Sequence, residues 1–90
     1  MAPKVKPLRS SQIRAARAVL RWTAEDLARE AALGLNTIKR AELAVDETSL
    51  TVANDLAVRR ALEAAGVIFI DENGGAGPGL RLCKPQRKRG

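Results

Sequence analysis

Four polar side chains set close together could do chemistry in this chain: Asn36, Thr37, Lys39 and Arg40. Their chemistry is hydrogen bonding rather than bond making. Asn36 can grip the edge of an adenine with two hydrogen bonds, and Arg40 or Lys39 can do the same with guanine. Thr37 can donate to a phosphate oxygen, as can the open backbone N–H groups of a helix that starts after Gly34. Bond-making chemistry finds little here. The chain has no His, and Cys83 is its one cysteine. That excludes a Cys-His dyad, a Ser-His-Asp triad, a thiolate zinc site and an internal disulfide. No acid and base are paired, so no enzyme activity, metal or cofactor is expected. An ordinary solvated helix face would carry the same four side chains, so the elements that position them must decide.

Those elements are marked by local signals. Thr23 is an N-cap, with Asp26 three residues on in a variant of the capping box. Trp22 before the cap and Leu27 after it have the spacing of a hydrophobic staple. A helix is predicted over Ala24–Ala31, with Leu27, Ala28 and Ala31 inward. Ala32-Leu33-Gly34 makes a turn, and Gly34 can cap the next helix. That helix is predicted over Leu35–Leu43. Ile38, Ala41 and Glu42 face the core, and Leu35, Asn36, Lys39, Arg40 and Leu43 face out. Two short helices joined by a tight turn are the layout of a helix-turn-helix that offers its second helix to DNA. Thr23, at the start of the first of the two, is counted with the DNA-contacting residues.

A leading helix capped by Ser10 or Ser11 supports this unit. Ile13, Ala16, Arg17 and Leu20 share its inner face at helical spacing, while Arg14 and Arg21 lie off it. Arg17 therefore points inward, where a guanidinium is costly without a carboxylate. Glu42 is its predicted partner, in a structural ion pair.

The totals limit the rest. With 90 residues, 46% of them hydrophobic and 2% aromatic, the chain can make one small domain with a core of Leu, Ile, Val and Ala. Trp22 is the ring that fills it. Such a core buries little area, and dimerisation is a common remedy. Sixteen Lys and Arg against ten Asp and Glu give a net charge of +6, which favours a polyanionic partner. No apolar run approaches a membrane span and no signal core follows the basic start, so a cytoplasmic location is expected.

The flanks read as follows. Residues 1–9 hold Lys4, Lys6 and Arg9 with two prolines and are expected to form a flexible basic arm. Residues 10–66 form the helical domain. Within it, 44–49 is an acidic linker, and a fourth helix capped by Ser49 or Thr51 runs to Ala65. Val58, Ala61, Leu62 and Ala65 form its apolar stripe, with Val52 and Leu56 partly to the side, and Gly66 ends it. Val67-Ile68-Phe69-Ile70 is a strand, apolar on both faces, and Leu80–Cys83 is a second. The turn between them, Asp71–Gly79, is rich in glycine. A strand follows it and Pro78 interrupts it, so a phosphate cradle is not expected. A lone hairpin is marginal in water. Residues 67–83 are therefore expected to pair two copies through Val67, Ile68, Phe69, Ile70, Leu80 and Leu82. Residues 84–90 form a basic tail, and Cys83 is expected to be buried.

From Gln12 to Glu42 the chain resembles the phage-repressor-like helix-turn-helix family, the Cro or XRE type. The matching residues are Arg14-x-x-Arg17, Leu20-x-Trp22-Thr23, Glu25-Asp-Leu-Ala28, Leu33, Thr37-Ile38-x-Arg40 and Glu42. The segment from Ala61 through Gly75, continuing to Leu80-Arg-Leu, also looks like the tail of many short proteobacterial members. The resemblance implies a mainly helical, lambda-repressor-like bundle that acts as a homodimer on a palindromic DNA operator. It places Leu35, Asn36 and Arg40 on bases, and Gly34, Thr37 and Lys39 nearer the backbone. It makes Arg17 and Glu42 the family's buried ion pair. Two residues depart from it. Ala24 stands where the family often has a phosphate-contacting Gln, and Ala32 where its turn often has Gly. Leu35, in place of a polar reader, suits a thymine methyl group. The expected function is a dimeric transcriptional repressor. The alternatives are a module that binds and silences another regulatory protein, and an antitoxin or control protein of a mobile element.

Overall fold

The computed structural model describes residues 6–45 and 48–83. It runs through α1 (Ser10–Leu20), α2 (Ala24–Ala31), α3 (Leu35–Leu43) and α4 (Val52–Ala64), then β1 (Val67–Ile70) and β2 (Gly79–Leu82). The fold is mainly helical, with an antiparallel strand pair at its C-terminal end. α2 packs on α3 and α4, and α1 packs on α3; β2 then lies on α1 and β1 on α4. Ile13, Leu27, Ile38, Val58 and Leu62 form the centre, all fully buried.

The start of α1 differs from the serine cap expected. Ser10 lies inside the helix, fully buried, and its hydroxyl donates to the Ala41 carbonyl at 2.7 Å. That carbonyl is in the last turn of α3, where no helical partner remains for it. Ser11 is exposed within the helix. Gln12 does the capping: its Oε1 accepts the Arg9 N–H at 2.9 Å, and its Nε2 donates to the Gly79 carbonyl at 3.0 Å.

The segment before α1 is also not the free arm expected over 1–9. Leu8 is fully buried, and its N–H donates to the Asp55 carboxylate at 3.0 Å. Arg59 donates to the Lys6 carbonyl at 2.8 Å, and Arg9 pairs with Glu72 at 3.0 Å. Residues 6–9 are thus part of the domain, because a Leu gains more from the core than from water. Residues 1–5 lie outside the described residues, as does the tail 84–90.

The boundary between α1 and α2 follows the local signals. Arg21 closes α1 in the left-handed conformation, with φ 60°. The Asp26 N–H donates to Thr23 Oγ1 at 3.0 Å, and the Thr23 N–H donates to Asp26 Oδ2 at 2.9 Å. Thr23→Ala is expected to cost about 1 kcal/mol of stability, the usual worth of a lost N-cap; a thermal melt checks it. Trp22 is half-buried and packs on the core. α2 ends at Ala32, itself left-handed with φ 58°, so Ala adopts the conformation for which a turn usually uses Gly.

Thr51, not Ser49, caps α4: its Oγ1 accepts the Asn54 N–H at 3.1 Å. Ser49 is left-handed, with φ 64°. The helix stops at Ala64, and Gly66 with φ 108° turns the chain into β1. Val58 and Leu62 are buried, while Ala61 and Ala65 are half-buried.

In the hairpin, Val67 pairs with Leu82, Ile68 with Arg81, Phe69 with Leu80 and Ile70 with Gly79. Asn73 and Ala76 exchange both backbone hydrogen bonds around Gly74 and Gly75, which take positive φ at the tip. β2 thus begins one residue earlier than expected and ends at Leu82. Cys83 falls past it, with an exposed side chain rather than a buried one. The expected dimer set divides. Val67 is buried, and Phe69 and Leu80 pack on the protein's own core, with the Arg59 guanidinium 5.3 Å above the Phe69 ring. Ile68, Ile70 and Leu82 remain 41–47% exposed. No helix of the described residues is long and apolar enough to cross a membrane.

Candidate nucleic-acid interface

The candidate surface is α3, held at both ends. No side chain caps its start at Gly34, so its leading N–H groups are available to an outside acceptor. Its inner face buries Ile38, Ala41 and Glu42. Asn36, Lys39, Arg40 and Leu43 are exposed on the other side, and Thr37 is half-buried beside them. Leu35 departs from its expected place among the readers. It is half-buried and packs against the core, since a leucine in the first turn removes more apolar area from water there. Thr23 is exposed. Its hydroxyl is engaged at Asp26, whose N–H donates to the Thr23 oxygen.

The charge pattern on α3 depends on Glu42, the helix's one acidic residue. The Arg17 fork meets it with Nε to Oε2 at 2.6 Å and a terminal nitrogen to Oε1 at 2.7 Å. Arg17 also donates to the Trp22 carbonyl at 2.9 Å, and Arg14 donates to the Glu42 carbonyl. The hydrogen bond that Arg17 donates to Glu42 raises the Arg17 pKa above its ordinary value. Glu42 is thereby turned inward and neutralised, and the outer face of α3 carries cations without an exposed carboxylate.

At the start of α2, the Thr23 backbone N–H, and then Arg29, hold the Asp26 carboxyl below its usual pKa. A lowered folded-state pKa contributes stability above the unfolded value and loses it as pH falls through the folded value. The melting temperature should therefore decline on acidification below the ordinary Asp range. In Asp26→Asn this part of the decline should be absent.

Arg40 also borders an open groove of about 400 Å³ between the end of α3 and the start of α4, lined with Thr37, Ala44, Thr51 and Asn54. The supporting residues that sequence reasoning missed are Leu8, Gln12 and Asp55. Their partners lie far along the chain, and no local pattern signals them. Among the described residues no cluster of His, Cys, Asp and Glu could hold a metal ion. Comparison with protein-family models, curated proteins and solved structures finds no match.

Proposed function

We propose that this chain is a sequence-specific DNA-binding transcriptional regulator, a dimeric repressor that lays α3 in the major groove of a palindromic operator. One observation carries the reading. The exposed face of α3 combines Asn36, Lys39 and Arg40 and is kept free of negative charge by the Arg17–Glu42 pair. Asn36 and Arg40 supply base-edge hydrogen bonds, and Lys39 and Thr37 supply phosphate contacts. The net charge of +6 adds long-range attraction to a polyanion. Occupying a promoter would then exclude polymerase.

Selection of duplexes from a random pool by the purified protein tests this. The expected result is an enriched motif whose retention falls steeply as salt rises, because bound phosphates release counterions. Retention indifferent to salt, or no enriched motif, would count against it. A second reading, a module that binds another regulatory protein, is favoured by the exposed Ile68, Ile70 and Leu82 on the hairpin. It predicts a protein complex and no enriched motif.

A further inference from the structure

The leucine expected among the base readers, Leu35, packs against the core, and a different leucine takes the outward face. Leu43, the last residue of α3, is 81% exposed. A helix advances by about 100° per residue. Leu43 therefore lies about 20° from Asn36 around the helix, between Lys39 and Arg40 and away from the buried Ile38, Ala41 and Glu42. Its turn is also fixed. Ser10 donates to the Ala41 carbonyl at 2.7 Å, Arg14 donates to the Glu42 carbonyl, and the Arg17 fork holds the Glu42 carboxylate. These bonds from α1 anchor the two residues before Leu43, so its side chain stands on a braced helix end. Val45 and Val52 are also exposed, but neither lies on α3.

An isobutyl group offers nothing to a phosphate or to a polar base edge. The apolar feature of the major groove is the thymine C5-methyl group. We infer that Leu43 is a specificity residue that contacts the methyl group of a thymine. The inference rests on the DNA-binding reading above and adds a base to it. Leu43 lies about 10 Å along the helix axis from Asn36 and about 4.5 Å from Arg40. Base pairs stack about 3.4 Å apart. The thymine therefore falls roughly one or two steps from the guanine read by Arg40, on the side away from the adenine read by Asn36. Cytosine at that place lacks the methyl group and is disfavoured.

The test uses the full chain and Leu43→Ala, with the enriched duplex and copies of it in which one thymine at a time is replaced by deoxyuridine, which lacks only the methyl group. The loss of preference in Arg40→Ala locates the guanine. Wild type should bind about fourfold more weakly when the thymine beside that guanine becomes uracil, the effect of one methyl group returned to water. Leu43→Ala should bind thymine and uracil there alike and keep its preference for the guanine. Thymine is compared with uracil within each variant, so a change in the folded fraction cancels. The contact is overturned if wild type binds every uracil duplex as tightly as the parent, or if no thymine stands beside the guanine. It is overturned also if Leu43→Ala keeps the full preference for thymine, since another side chain would then hold the methyl group. Each of these results leaves the DNA reading standing. If wild type enriches no duplex, the DNA reading fails and the contact fails with it.

Discussion

Arg17→Ala is expected to cost about 2–4 kcal/mol of folding stability, which for a domain of this size lowers the melting temperature by roughly 10–25 °C. The cost comes mainly from what is left behind. Glu42 has a side chain only 9% exposed, and both of its oxygens are held by the Arg17 fork. Without the fork, a carboxylate stays in a site that excludes most water. The mutation also removes the bond to the Trp22 carbonyl at the α1–α2 junction. Arg17 itself is 23% exposed, so some water reaches the site, and the expected loss lies toward the lower side of the range for fully buried pairs. Two companion variants separate the causes. Arg17→Lys should recover little, because an ammonium cannot bind both oxygens in a fork. Arg17→Ala with Glu42→Ala should recover part of the loss, because the orphaned charge is gone. A melting temperature for Arg17→Ala within a few degrees of wild type would show that the pair does not support the fold.

Arg40→Ala should leave folding nearly unchanged and act on recognition. Arg40 is exposed on the outer face of α3, one turn beyond Asn36. A two-pronged contact to guanine is worth about 1–3 kcal/mol of discrimination, or roughly 5–150-fold in relative affinity. The variant should therefore lose preference for the enriched duplex over a scrambled one while still binding both. Lys39→Ala should behave differently. A lost phosphate contact weakens all duplexes alike and lowers the salt slope by about one. Competition binding at two salt concentrations measures both. Equal discrimination by Arg40→Ala and wild type would remove Arg40 from the readers.

Much of the scaffold was legible because its signals are local. The Thr23–Asp26 cap, and the turn ending at Gly34, set α2 and α3 at the bounds read from sequence. Arg17 was legible for a different reason: helical phase put a charge inward, and few carboxylates were in phase to meet it. What could not be read depends on distant partners. Whether Ser10 caps α1 depends on the Ala41 carbonyl, and Gln12 owes its second bond to Gly79. Leu8 follows Pro7 in a stretch with no periodicity, yet it is in the core. The hairpin posed a problem of parity. Val67, Ile68, Phe69 and Ile70 are all apolar, so alternation cannot say which pair faces in. The register resolves it, turning Val67 and Phe69 inward. At the candidate site, helical phase gave the exposure of Asn36, Lys39 and Arg40. It misplaced Leu35, because the first turn of a short helix lies close enough to the core for a long side chain to fold back.

The N-terminal segment has a consequence for the order in which the chain can mature during synthesis. Leu8 waits for Asp55, 47 residues later; Arg9 for Glu72, 63 later; and Gln12 for Gly79, 67 later. A ribosome delivers the first residues of the domain long before their partners exist. α2, by contrast, carries its own cap, and α2 and α3 pack on each other from one continuous stretch. The α2–α3 pair can thus take shape early, while residues 6–12 gain their partners only as α4 and then the hairpin emerge. β2, made last of these elements, completes the bonds of Gln12 at the start of α1.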